Sequence, residues 1–361
     1  MKGTNTIKYI LQLLITMKRT LPLLTALLLG ALAALHAAEA PAPKPDVPDS
    51  RQTQAQKTEP AKAKKRARQG KAADAKTPTK SIAASFPDFD YASNVVYKQV
   101  GDQALQMDIL TPKGLKAVSA PVLIYIHGGG WGGGDRYRMQ RPDISGVFNR
   151  CGKAGIICVS IEYRLNSEKA TAFDSAVDCK DALRFLVKNA TQYRIDPARM
   201  GTIGGSAGGH LSLVTALGNP KDFPGDPALA GHDPVSIRCE VAHYPATDFT
   251  DSTLAGRFLG PRAERMFGGP PEKKADVIRL LSPVALIQKG STPVYCFHGD
   301  KDTTLSVENS RRLYAKGKAV GADIQYTEVK NGSHGFGRDC TPTVDKICSL
   351  AAQFVIERLT R

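Results

Sequence analysis

"RMGTIGGSAGGHLSL" (residues 199–213) carries an apolar segment into a helical one through a turn with glycine at 204, 205, 208 and 209 around Ser206. A turn sharp enough to push a serine side chain off the end of a strand strains the backbone and leaves no room for neighbouring Cβ atoms, which accounts for the glycines. Gly204-Gly205-Ser206-Ala207-Gly208 matches G-x-S-x-G. That pattern arises by chance in Gly- and Ser-rich chains; the strand before it and the helix after it give it meaning. The helix also points free amides at the serine, where they favour any negative charge formed there. Glycine-rich strand-to-helix turns cradle phosphate as well, but the Lys-Ser/Thr pair of a phosphate loop does not follow this one.

A serine hydroxyl is a weak nucleophile until a base removes its proton. His334, in "KNGSHGFG" (330–337), and Asp302, in "FHGDKDTTLS" (297–306), each fall just past a strand-like run, in the order serine, acid, histidine. Both therefore reach the edge of the sheet where Ser206 emerges, the place where open parallel sheets hold their ligands. From the residues alone, Asp300 and Asp248 compete with Asp302 as the acid. "HGGGWGGGD" (127–135) follows the apolar run 121–126 at that same edge. Its glycines let backbone amides approach an acyl oxygen closely, and the amides of Gly129, Gly130 and Ala207 are the candidate oxyanion hole. Pre-aimed donors of this kind are worth ~3 kcal/mol each. Trp131 is a candidate substrate platform or a packing residue beneath an insertion. His127 and His210 read as structural braces, and Asp135 as an anchor for its loop.

Around these motifs, short Val- and Ile-rich runs at 121–126, 156–162, 199–204, 237–244, 293–298 and 323–329 read as buried strands, and 94–100 with 105–111 as an opening hairpin. Ala176, Cys179, Leu183, Leu186 and Ala190 form a helical stripe, as do Val344, Ile347, Ala351 and Phe354. Strand and helix in alternation imply an α/β chain with a largely parallel sheet covered on both faces. The interval 249–290, rich in Gly, Pro and charge, is too long for an ordinary connection and reads as a lid or binding loop.

On the blocks HGGGW, GGSAGGH, HGDKD and GSHGF, in that order, the chain over roughly residues 90–360 resembles the α/β-hydrolase superfamily. It is most similar to the HGGG-type carboxylesterases, which include hormone-sensitive-lipase-like and bacterial feruloyl- or acetylxylan-esterase-like proteins. The resemblance implies an eight-stranded sheet with a small cap after the sixth strand, a Ser206, Asp302 and His334 triad, and neither cofactor nor metal. It also selects Asp302, four residues after His298, over its competitors. Hormone-sensitive-lipase-like members usually carry an acid where Gly205 stands, and the Trp131 and Gly134-Asp135 continuation is closer to polysaccharide-esterase and formamidase-like members. The implied activity is hydrolysis of short-chain acyl or feruloyl esters on small molecules or glycans. An amidase or peptidase with the same triad, and a non-catalytic binding module on a hydrolase scaffold, are the alternatives.

The ends of the chain read differently. From Met17, a possible true start, a short basic segment, an apolar run and small residues at 37–40 read as a secretory signal peptide over 1–40; an uncleaved anchor is the alternative. Residues 41–80 lack large apolar side chains and read as a disordered basic linker. They hold eleven Lys and Arg against four acids, and the leader adds a net +3, leaving about +5 for residues 81–361, the expected catalytic domain. The basic balance thus points to no nucleic-acid partner, but to a solvated spacer or weak attachment to anionic envelope or polysaccharide. The implied location is periplasmic or secreted. Seven cysteines leave at least one thiol unpaired, and the short separation of Cys340 and Cys348 suggests that these two pair.

Overall fold

The computed structural model describes residues 79–361, so the expected signal segment over 1–40, and all but the last two residues of the linker over 41–80, lie outside the described residues. Eight strands form one sheet in the order β1-β2-β4-β3-β5-β6-β7-β8. They are β1 (Phe89–Val100), β2 (Gln103–Pro112), β3 (Ala120–Ile126), β4 (Ile157–Ile161), β5 (Ile195–Gly205), β6 (Ile237–His243), β7 (Val294–Gly299) and β8 (Ile324–Val329). The β1–β2 hairpin and the β2–β4 pair are antiparallel, and every other pairing is parallel.

Alternate side chains of β3 divide between the two faces: Val122, Ile124 and Ile126 join one core, Leu123 and Tyr125 the other. All seven β3 residues are buried, which is why the central strands read as unbroken apolar runs. Helices α1 (Pro142–Lys153) and α5 (Val344–Leu359) cover one face; α2 (Ala172–Lys188) and α3 (Ala207–Leu217) cover the other, and α4 (Glu308–Val320) packs beside β8.

Helix α2 departs from a simple amphipathic reading. The stripe of Ala176, Cys179, Leu183 and Leu186 is buried, and Ala190 falls past the helix end. Asp178 and Asp181, off that stripe, are also fully buried. Lys98 of β1 lies 2.6 Å from each of them, and Arg164 and Arg184 complete the ion-paired layer. Charges survive burial only when paired in this way.

The pairing of Cys340 with Cys348 does not occur. All seven cysteines are free and buried. The Cys340 thiol faces the carbonyls of Gly337 and Pro342, whereas Cys348 looks across to Pro142 at the start of α1. Nearness in sequence says nothing about where two sulfurs point.

The strand ends position the site. In register, Ile126 pairs with Gly204, Gly205 with His243, and Gly299 with Val329. The loops after β3, β5, β7 and β8 consequently emerge along one carboxyl edge. Between β6 and β7 the long interval folds into four short helices, Ser252–Leu259, Ala263–Phe267, Ala275–Leu280 and Pro283–Leu286.

Candidate active site

Ser206 sits between β5 and α3 with φ 59° and ψ −126°, a conformation that side-chain-bearing residues rarely hold unless their surroundings enforce it. The enforcement is backbone packing. A side chain at Gly208 would collide with the carbonyl of Ile126, and a Cβ at Gly128 would lie 2.5 Å from the carbonyl oxygen of Gly205. Glycine at these positions lets β3, the turn and α3 close on one another.

The structure brings Ser206, His334 and Asp302 together. Nε2 of His334 lies 2.9 Å from Ser206 Oγ, and Nδ1 lies 2.7 Å from Asp302 Oδ2. Neither competing acid reaches the imidazole. Asp248 accepts from Thr250 and Arg312, and Asp300 lies near Lys330, 3.9 Å from its ammonium.

Asp302 is fixed on both oxygens. Its Oδ1 accepts from the amides of Thr304 and Leu305. Its Oδ2 also faces Nε2 of the buried His298 at 3.3 Å. Burial alone would raise the pKa of this carboxyl, but the hydrogen bonds from His298, His334 and the Leu305 amide outweigh it and hold Asp302 well below the usual carboxylate range. His298 is in turn held by Ser310 and by the carbonyl of Leu305. Its bracing role was hidden in the sequence, where it served only to mark a position four residues before the acid.

Gly129, Gly130 and Ser206 line one cavity with His334. Gly129 (φ 139°) and Gly130 (φ 60°) both occupy the left-handed region. Among the described residues, the amides of Gly129, Gly130 and Ala207 donate to no backbone or side-chain acceptor, so all three remain available to a developing oxyanion. The same cavity holds Tyr244, whose ring packs edge-on against His334 with 4.8 Å between centroids, and two arginines, Arg138 and Arg141. Sequence reading missed these three residues, because no motif surrounds them.

Trp131 is placed away from this cavity. Its indole is buried, packing on Phe249 and Phe258 of the insertion, and Nε1 donates to Nδ1 of His210. The ring therefore ties the glycine loop to the insertion, and it lines the neighbouring cleft with Gly129 and Gly130, not the Ser206 cavity. Asp135 caps the following turn by accepting from the amide of Tyr137. Among the described residues, no group of three or more His, Cys, Asp or Glu side chains converges as a metal-ligand set.

His127 and His210 brace the site as neutral rings. His210 accepts from Trp131 at Nδ1 and donates to the carbonyl of Leu281 at Nε2; His127 donates to the carbonyl of Gly128 and stacks on Tyr163. Burial pushes both down to about 4. The unfolded rings titrate near 6.5, so below that pH the unfolded chain binds more protons than the folded one. Stability is accordingly expected to fall as the pH drops from about 6.5 to 4, by on the order of 3 kcal/mol per histidine at the lower limit. Urea midpoints measured across that range check this, and the slope should shrink in His210→Gln.

Residues 107–316 match the BD-FAE family model. The chain belongs to the BD-FAE family. Among similar proteins, "Probable carboxylic ester hydrolase LipM" of Mycobacterium tuberculosis is 30% identical over 256 residues, 70% of this chain and 57% of that one. "Esterase LipQ" of the same organism is 27% identical over 65% of this chain and 55% of its own. This BD-FAE chain thus spans about half the length of the curated relatives it matches. Among solved structures, a truncated carbohydrate esterase from gut microbiota has a TM-score of 0.64 at 23% identity, covering 76% of this chain and 98% of its own. Esterase 2 of Thermogutta terrifontis, with propionate bound, has a TM-score of 0.61 at 24% identity, covering 75% and 95%. These likenesses establish the α/β-hydrolase fold for the BD-FAE chain.

Proposed function

We propose that this chain is an exported serine carboxylic ester hydrolase that cleaves short acyl or feruloyl esters carried on small molecules or carbohydrate. The observation that carries the reading is the relay from Asp302 through His334 to Ser206, at 2.7 and 2.9 Å, beside unengaged backbone amides. The ester-hydrolase names of the M. tuberculosis relatives support it.

In this mechanism Ser206 Oγ attacks the ester carbonyl while His334 Nε2 takes its proton. The carbonyl oxygen becomes negative and is met by the amides of Gly129, Gly130 and Ala207. His334, now charged and stabilised by Asp302, returns the proton to the departing alcohol. Water activated by the same imidazole then releases the acid and regenerates Ser206.

The cavity beside Ser206 encloses about 250 Å³, which favours a short acyl group. Export rests on the basic, apolar and small-residue pattern from Met17 to Ala40. A panel of p-nitrophenyl esters of rising chain length, run beside matched anilides and acetylated and feruloylated xylan, tests the reading. Short esters should be hydrolysed fastest and anilides far more slowly. Anilide turnover equal to or above that of the ester would favour an amidase, and no turnover of any ester would overturn the proposal.

A further inference from the structure

Arg138 and Arg141 stand in the same small cavity as Ser206 and His334, yet the ester chemistry described above uses neither. A simple ester is neutral, so a pair of guanidiniums in this place calls for an explanation.

Arg141 is held in position. Its Nε lies 3.1 Å from Oδ1 of the buried Asp143, and its Nη2 lies 3.2 Å from the Tyr244 hydroxyl, which itself donates to Asp143 Oδ2 at 2.7 Å. A Cβ at Gly335, the residue after His334, would lie 3.0 Å from Nη2, so the fork sits against the loop that carries the base. Arg138 sits against the glycine loop, where a Cβ at Gly134 would be 2.9 Å from its Nε. Among the described residues Arg138 has no acidic partner within ion-pair distance. Asp143 pairs with Arg141 and has both oxygens engaged, so Arg138 is the guanidinium of this cavity that has no carboxylate partner among the described residues.

The neighbouring cleft repeats the pattern. It shares Gly129 and Gly130 with the first cavity and carries Arg262 and Arg265 from the insertion, again without acidic partners among the described residues. Asp302 is hydrogen-bonded to His334 and Asp135 to the amide of Tyr137, and neither lies within ion-pair distance of Arg138. A planar guanidinium binds a carboxylate through paired, charge-assisted hydrogen bonds.

Resting on the esterase reading, we propose that Arg138 and Arg141 form a carboxylate subsite, so that the preferred substrate is an ester carrying an anionic carboxylate on the part of the molecule that occupies the Ser206 cavity. That carboxylate belongs either to the acyl group, as in a dicarboxylic monoester, or to the alcohol, as in an acylated hydroxy acid or uronate.

Two matched pairs separate these sources. On the acyl side, p-nitrophenyl hemisuccinate is compared with its methyl ester; on the alcohol side, 4-acetoxybenzoate is compared with methyl 4-acetoxybenzoate by acetate release. Each kcat/KM is divided by the substrate's rate with hydroxide. One charged member should exceed its neutral partner by about tenfold or more at low salt, with the ratio shrinking as salt is added. Arg138 is exposed, so Arg138→Gln should fold normally, with an unchanged melting temperature, and bring the ratio toward one; Arg138→Glu should invert it. Neutral members turned over as well as or better than the charged ones in both pairs would overturn the subsite and leave the esterase reading standing. A ratio that survives Arg138→Gln but collapses in the Arg262→Gln/Arg265→Gln double variant would also overturn it, by placing the anion in the other cleft. Absence of turnover with all four compounds would defeat the esterase reading itself, and the subsite with it.

Discussion

Replacing Ser206 with alanine is expected to lower kcat for p-nitrophenyl acetate by roughly 10⁵- to 10⁶-fold. The residual rate should come from the amides of Gly129, Gly130 and Ala207 acting on water, since their geometry does not depend on the hydroxyl. The substitution removes one oxygen from a turn whose shape is set by backbone packing at Gly128 and Gly208, so the melting temperature should hardly change. Activity loss without stability loss is the signature to look for. A loss of less than about tenfold would mean that another group is the nucleophile.

Asp302→Asn is expected to cost about 10⁴-fold in kcat. The carboxylate accepts a hydrogen bond from His334 Nδ1–H at 2.7 Å, which leaves Nε2 unprotonated toward Ser206. An amide in its place offers a donor, and the imidazole answers by moving its proton to Nε2, where it blocks the very transfer that activates the serine. Because the charge is also lost beside the buried His298, stability should change as well, and the tautomer should be read by nitrogen NMR of His334. Asp300→Asn and Asp248→Asn serve as comparisons, since neither carboxylate reaches the imidazole; each should leave kcat within a few-fold. Equal losses from Asp300→Asn and Asp302→Asn would contradict the assignment.

Much of the architecture was legible because its signals are local. Unbroken Val and Ile runs mark strands buried on both faces, and glycines mark the turns where backbone must approach backbone. Ser206, Asp302 and His334 could be located because each follows such a run, and strand ends in a parallel sheet share an edge. The limits were equally physical. Tyr244, Arg138 and Arg141 carry no sequence pattern, and they matter only because a strand end and a turn meet around Ser206. His298 stood inside a readable motif, but its support of Asp302 depends on side-chain direction. Trp131 reads from the sequence as either a substrate platform or a packing residue, and the contact that buries it, to His210 79 residues away, is tertiary. Asp178 and Asp181 fall off the apolar stripe of α2, and their burial depends on Lys98 reaching them from β1, a contact that no local pattern encodes. Cys340 and Cys348 stay unlinked because adjacency in the chain does not aim two thiols at each other.

The most direct test of the central claim, that His334 and Asp302 make Ser206 a nucleophile, is covalent labelling with a fluorophosphonate followed by peptide mass mapping. One adduct per chain on Ser206 in the native protein, with labelling slowed at least 10³-fold in His334→Ala, is the expected result. A fully folded protein that turns over esters while carrying the adduct elsewhere, or none at all, would contradict it.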